Sequence, residues 1–218
     1  MSVEPAKSAP QRIALDGQYV RLEPVGLQHA ADLFAISEGE AAAERYRWLP
    51  SYAPKNRGEV ESWIASLEDG PDRYVAVIDK ASGRAVGRQA WLRIFPHNAS
   101  IEIGGIYWGL PMARSRLATE ALYLFARHAF EDLGYRRFEW KCNNLNAPSK
   151  AAATRFGFQY EGLFRQDMIV KGESRDTAWF SIIDSEWPVL AMEYERWLAA
   201  ENFDADGQQK SALATRRG

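Results

Sequence analysis

NNLNAPSKAAATRFGFQYEGLFRQ, residues 143–166, holds a helix start, a helix stop and a strand start in 24 residues. Asn146 stands where a side-chain oxygen can cap a helix start, and the Ala-rich run that follows reads as a short helix to Phe156. Gly157-Phe158 stops that helix, and FQYEG (158–162) opens a strand that Gly162 can bulge. Upstream, YRRFEWKC (135–142) reads as another strand. The segment is therefore strand, short helix, strand. A helix of nine or ten residues between two strands points to a mixed sheet with helices on its faces.

The same pattern extends outward in both directions. Residues 117–133 carry Leu117, Ala121, Leu124, Phe125, Ala129 and Phe130 on one helical stripe, with Gly134 in position to end the helix. Upstream, RYVAVID (73–79), AVGRQAWLRIF (85–95) and SIEIGGIYWG (100–109) are rich in β-branched and aromatic residues. They are separated by the turn signals Ala81-Ser82-Gly83 and Pro96-His97-Asn98, so an antiparallel meander is expected. Near the N-terminus GQYVRLEP (17–24) reads as a strand and 27–37 as a helix. Asn56 can cap a second helix to about Leu67, which Asp69-Gly70-Pro71 stops. Downstream, 174–183 adds a strand, and Ser185 opens a last helix with Trp187, Leu190, Tyr194 and Trp197 inward. The expected class is α/β (α+β): one domain over 15–200 with a mixed, mostly antiparallel sheet flanked by helices. Residues 1–14 and 201–218 are expected to be flexible ends.

The chain has 218 residues, 46% of them hydrophobic and 26% charged, with a formal net charge of −2. Near-neutrality gives no general attraction to nucleic acid or membrane, so any basic function is local. The single cysteine, Cys142, excludes an internal disulfide and points to a reducing, cytoplasmic setting. MSVEPAKSAPQ lacks a signal-like apolar core, and no stretch approaches a membrane span. The three histidines share no ligand spacing, so no metal site is expected.

LPMARSRLATEA (110–121) is a second point of interest. Arg114, Ser115 and Arg116 precede or open a helix with no acidic residue among them, although a helix N-terminus is already partly positive. Two readings stay open: an anion meets them, or they are solvated or paired with glutamates elsewhere. The loop has no glycine between Leu110 and Ala118, which phosphate-cradling loops usually need for close approach.

Taken in order, Asn146, Ser149, the short helix, Gly157-Phe158, Glu161-Gly162 and Arg165 make the chain resemble the GNAT acetyltransferase superfamily. With Gly172, Asp176 and Glu186-Trp187 after them, they resemble more narrowly the branch that contains the ribosomal-protein alanine N-acetyltransferases. The resemblance covers about residues 17–198. It implies a central strand splayed from its neighbour, with the pantetheine arm of acetyl-CoA filling the gap. Ile106, Tyr107 and Trp108 would offer backbone groups to that arm. Arg114, Ser115, Arg116, Leu117 and Ala118 would hold the pyrophosphate. The family loop reads Gln/Arg-x-x-Gly-x-Gly/Ala, and this chain has Ala113, Arg116 and Ala118 at those places, so only the last matches.

The resemblance further implies acetyl-CoA as cosubstrate, no metal, and direct transfer to an amine acceptor in a ternary complex. Glu102 then falls where a carboxylate acts as base; otherwise it is a strand-edge glutamate facing solvent. Ser149 falls near the thioester sulfur as a proton donor, or serves the helix start. Asn146 caps that helix or bonds to pantetheine. A tyrosine that many relatives carry on this helix is Ala153 here. Trp48, Trp63, Trp91 and Trp140 read as core, with an acceptor groove as the alternative. The acceptor cleft maps onto 41–55 and 170–176, whose aromatics and charges of both signs suit a protein N-terminus or a small-molecule amine. The other readings are a non-catalytic CoA-binding module and, if the last helix exposes Trp or Phe, a homodimer.

Overall fold

The computed structural model describes residues 4–215. The first half runs β1 (Leu15–Asp16), β2 (Val20–Pro24), α1 (Ala30–Ala35), α2 (Glu40–Tyr46), α3 (Arg57–Ser66), β3 (Arg73–Asp79), β4 (Arg84–Phe95) and β5 (Ser100–Trp108). The second half runs α4 (Arg116–Arg127), β6 (Arg137–Asn143), α5 (Ala147–Arg155), β7 (Gln159–Val170), β8 (Glu173–Ile183) and α6 (Trp187–Leu198). The strands form one eight-stranded sheet in the order β1-β2-β3-β4-β5-β6-β8-β7. Every neighbouring pair is antiparallel except β5 with β6, which is parallel because α4 crosses between them.

Most elements lie where the sequence puts them, for local reasons. Asn56 accepts from the Glu59 N–H at 3.0 Å and caps α3. Asn146 does the same for α5 through the Ser149 N–H. Gly134, at φ 71°, follows a wider helical turn over 128–132 that ends α4. In the core, α4 and α6 pack on one sheet face, with Trp91 stacked on Phe125 at 3.7 Å between centroids. The Glu120 carboxylate of α4 accepts from the backbone N–H groups of Gln18, Tyr19 and Val20, each at 2.7 Å. That buried charge is thereby satisfied and ties the helix to the β1–β2 turn.

Two expectations change. β1 and α2 are additional elements; EAAAERY has only Ala42 and Tyr46 buried, too few for a visible apolar stripe. Residues 201–215, expected to be a flexible tail, pack instead on the domain. Phe203 is buried edge-on to Trp197, Asn202 bonds to Ser211, and the Thr215 hydroxyl donates to the Arg155 carbonyl. Polar side chains here satisfy a short return path rather than solvent. At the other end Ala6 and Lys7 donate backbone bonds to Pro96 and Leu133, so the 1–14 segment is also tied down where it is described.

Candidate active site

β5 and β6 pair through three residues only, Ser100 with Arg137, Ile101 with Phe138 and Glu102 with Glu139. Beyond that point β5 stays with β4 as far as Trp108, and β6 stays with β8 as far as Asn143. The sheet opens into a V whose arms carry backbone groups with no ladder between them, around a cleft of about 690 Å³. The divergence is sharpened by a bulge: Arg88 pairs with Tyr107 but Ala90 with Gly104. Gly105 takes φ 57°, and a Cβ there would lie 2.7 Å from the Tyr74 ring. Arg88 donates to the Gly105 carbonyl at 3.0 Å while its guanidinium lies 4.5 Å over Trp63. The bulge is thus held from behind by a stacked cation.

Glu102 sits at the apex of the V, 2% exposed. The solvent-facing alternative is therefore wrong, since the β4–β5–β6 arrangement covers it. Its Oε2 forms ion pairs with Lys141 Nζ at 3.1 Å and Arg93 Nε at 3.7 Å. Burial pushes its carboxyl up to about 7, against the pull of Lys141. Glu139, beside it, is held by Arg137 at 2.7 Å, and Arg137 also grips Glu161. A second, open cavity of about 540 Å³ adjoins the cleft and shares Arg93, Lys141 and Met168 with it.

The residues that the sequence suggested for the cofactor fall in two groups. Ile106, Tyr107, Trp108, Asn146 and Ser149 line the cleft with Glu102. The Tyr107 hydroxyl points away, donating to the Ile36 carbonyl, so that residue faces the cleft by its backbone. Ser149 Oγ accepts from Trp140 Nε1 at 3.1 Å while its N–H is capped by Asn146, so it serves the helix start and still borders the cleft. Cys142 is buried, and burial raises its thiol, which keeps it protonated.

Arg114, Ser115, Arg116, Leu117 and Ala118 lie at the start of α4. Ser115 is the N-cap, but its hydroxyl donates back to the Met112 carbonyl, so no side chain caps the first N–H groups of α4. The loop turns without glycine because Arg114 itself takes φ 55°. Arg116 has a partner the sequence did not suggest: its guanidinium lies 4.1 Å over Tyr19 and 5.1 Å from Phe203. An aromatic face thus answers one of the two arginines, and Arg114 stays exposed at the helix start.

Of the four tryptophans, Trp91 and Trp140 are buried, and Trp63 backs the bulge. Trp48 lines the cleft mouth with Arg45. On α6, Trp187 and Trp197 are buried and the exposed apolar residues are Val189 and Met192. Among the described residues no group of His, Cys, Asp or Glu is arranged to hold a metal ion, and no helix is long and apolar enough to cross a membrane. Lys141 and Glu139 escape a reading of the sequence, because they meet Glu102 only through the parallel β5–β6 pairing; Arg93 reaches it from β4, next to Leu92 which pairs with Glu102.

A parallel pair that parts after three residues, with a buried carboxylate at the fork and an uncapped helix start beyond it, leaves room for an extended ligand between two strands of one sheet. Residues 20–159 match the acetyltransferase (GNAT) domain family, and the chain belongs to it. A crystal structure of a GCN5-related N-acetyltransferase from Brucella melitensis is 52% identical, with TM-score 0.93 over 97% of this chain and 96% of that one. A structure described as a probable acetyltransferase of the GNAT family from Chromobacterium violaceum is 37% identical, with TM-score 0.78 over 85% and 93%. The N-acetyltransferase p20 of Bacillus licheniformis, itself uncharacterized, is 29% identical over 126 residues, 56% of this chain and 67% of the relative. The protein is an N-acetyltransferase of a family that uses acetyl-CoA.

Proposed function

We propose that this chain transfers an acetyl group directly from acetyl-CoA to a primary amine, a protein N-terminal α-amine ahead of a small-molecule amine. The observation that carries this is Glu102, buried at the fork of the sheet with its carboxyl near neutrality. A carboxylate poised there takes a proton from an incoming ammonium at working pH without being permanently protonated or too weak a base. Acetyl-CoA supplies the activated acetyl thioester. The residues fit it: unpaired backbone edges over 103–108 suit an extended pantetheine arm. The uncapped N–H groups of Arg116, Leu117 and Ala118, with Arg114 and Ser115, suit a pyrophosphate. Asn146 holds the start of α5 in place, and Ser149 Oγ, oriented by Trp140, keeps a proton for donation into the cleft.

A peptide is favoured as acceptor because the cleft continues into the adjoining cavity of about 540 Å³, more room than a single small amine fills. The test is an acetyl-CoA thiol-release assay against short peptides with free α-amines and against small polyamines and amino sugars, with products weighed by mass spectrometry. Acetylated peptide α-amines are the expected result. Turnover confined to small amines reverses the acceptor order, and tight CoA binding with no turnover on either panel makes the chain a binding module.

A further inference from the structure

Arg175 is 9% exposed and lines the cleft, yet its Nε has no hydrogen-bond partner. Among the described residues no carboxylate lies within 4.0 Å of its guanidinium. A guanidinium this buried, with no carboxylate partner, is costly for a fold to keep, and arginine cannot shed its proton to escape. The neighbourhood sharpens the point. Arg175, Thr177 and Trp179 alternate along β8 and so share one face of the sheet, the face that carries Lys141 opposite Trp179. Arg175 Nε, Thr177 Oγ1 and Trp179 Nε1 are three of the five buried side-chain atoms without a hydrogen-bond partner among the described residues, and unlike Glu102 Oε2 none of the three has an ion pair. Native folds rarely leave such atoms without a reason, and here they gather in and beside the cleft.

We infer that Arg175 is the acceptor's anchor, and that the acceptor carries a carboxylate close to its reacting amine. Guanidinium forks match carboxylates in a bidentate way, and a ligand carboxylate would supply the missing partner. Lys141 and Arg93, beside the Trp179 ring at 4.9 and 5.2 Å, already pair with Glu102, so Arg175 is the cation of this face without a carboxylate partner among the described residues. The cofactor's phosphates have their own place at the start of α4, so they do not need Arg175. This inference rests on the acetyltransferase reading and narrows it: for a peptide, an acidic residue near the N-terminus; for a small molecule, the acceptor's own carboxylate.

The test is calorimetric titration of protein saturated with CoA, which carries no acetyl group and permits no transfer. One arm compares hexapeptides with Glu or Gln at positions two and three; the other compares free amino acids with their amides. At least tenfold tighter binding of the carboxylate form is expected in one arm, and that arm names the source. Arg175→Gln should bring the ratio to within about twofold, while Arg175→Lys keeps part of it, and acetyl-CoA affinity should hold in both. Thermal melting reports folding, and ligand-free Arg175→Gln should melt no lower than the parent. No carboxylate preference in the parent, a preference that survives Arg175→Gln, or an equal loss of acetyl-CoA affinity overturns the inference. A preference without turnover in the thiol-release assay overturns the transferase reading and leaves this one standing.

Discussion

Glu102 is a buried carboxylate whose cost to the fold has the same source as the basicity proposed for it. With its carboxyl raised from about 4.5 to about 7, the folded chain holds a proton that the unfolded chain releases. Above pH 7 the ionised group weighs on the folded state, and below about 4.5 both states carry it neutral and the burden vanishes. Glu102→Gln fixes the neutral form. It should stabilise the protein at pH 8 by about 2–3 kcal/mol, or roughly 5–10 °C in melting temperature, with the gain shrinking as pH falls from 7 toward 4.5. The same variant should lose about 10²- to 10³-fold in kcat. In the parent, kcat should climb about tenfold per pH unit below 7 and level off above it. A melting series and a pH–rate profile on the two proteins check both halves. A flat parent profile between pH 6 and 8 removes Glu102 from the base role.

The strand β5 is where element-level geometry decides function, because its bulge turns an ordinary meander strand into one arm of a cleft. Gly105 meets two demands at once, a positive φ and less than 3 Å of room against Tyr74. Gly105→Ala should cost about 1–3 kcal/mol in stability and at least tenfold in acetyl-CoA affinity, measured by melting and calorimetry. Gly83→Ala is the control, since Gly83 also has a positive φ (69°) but nothing within 4 Å of a Cβ. It should pay the backbone cost alone, and an equal affinity loss there would detach the bulge from binding. The sequence already carried much at this scale. Turn signals at 81–83 and 96–98 and the stripe from Leu117 to Phe130 are local patterns, so the meander and α4 were readable. SIEIGGIYWG reads as a strand, and the bulge near Gly104 and Gly105 shows only in its pairing with β4. The burial of Glu102, and the Lys141 beside it, were not readable. They follow from a parallel pairing between segments about thirty-five residues apart, which no local period encodes.

At the scale of the whole molecule, the chain's last described segment reaches back to the helix start assigned to the cofactor. Phe203 lies edge-on to Trp197 at 5.1 Å and to Tyr19 at 6.0 Å, and Arg116 sits over both Tyr19 and Phe203. Residues from β2's approach, α4 and the C-terminal segment therefore meet in one cluster. Residues 201–215 read as a flexible end in sequence, and the buried Phe203, with the bonds of Asn202 and Thr215, makes them part of the fold. Phe203→Ala should cost about 3 kcal/mol through lost burial and the cavity left behind, lowering the melting temperature by roughly 6–12 °C. Because Arg116 is the first residue of α4, the loosened cluster should also weaken acetyl-CoA binding, by a few-fold, while leaving carboxylate recognition at Arg175 untouched. Differential scanning calorimetry and titration with acetyl-CoA measure the two effects. A stability loss with unchanged acetyl-CoA affinity would mean that the segment buttresses the core alone. Loss of both would mean that the C-terminal segment also shapes the helix start proposed to hold the cofactor's phosphates.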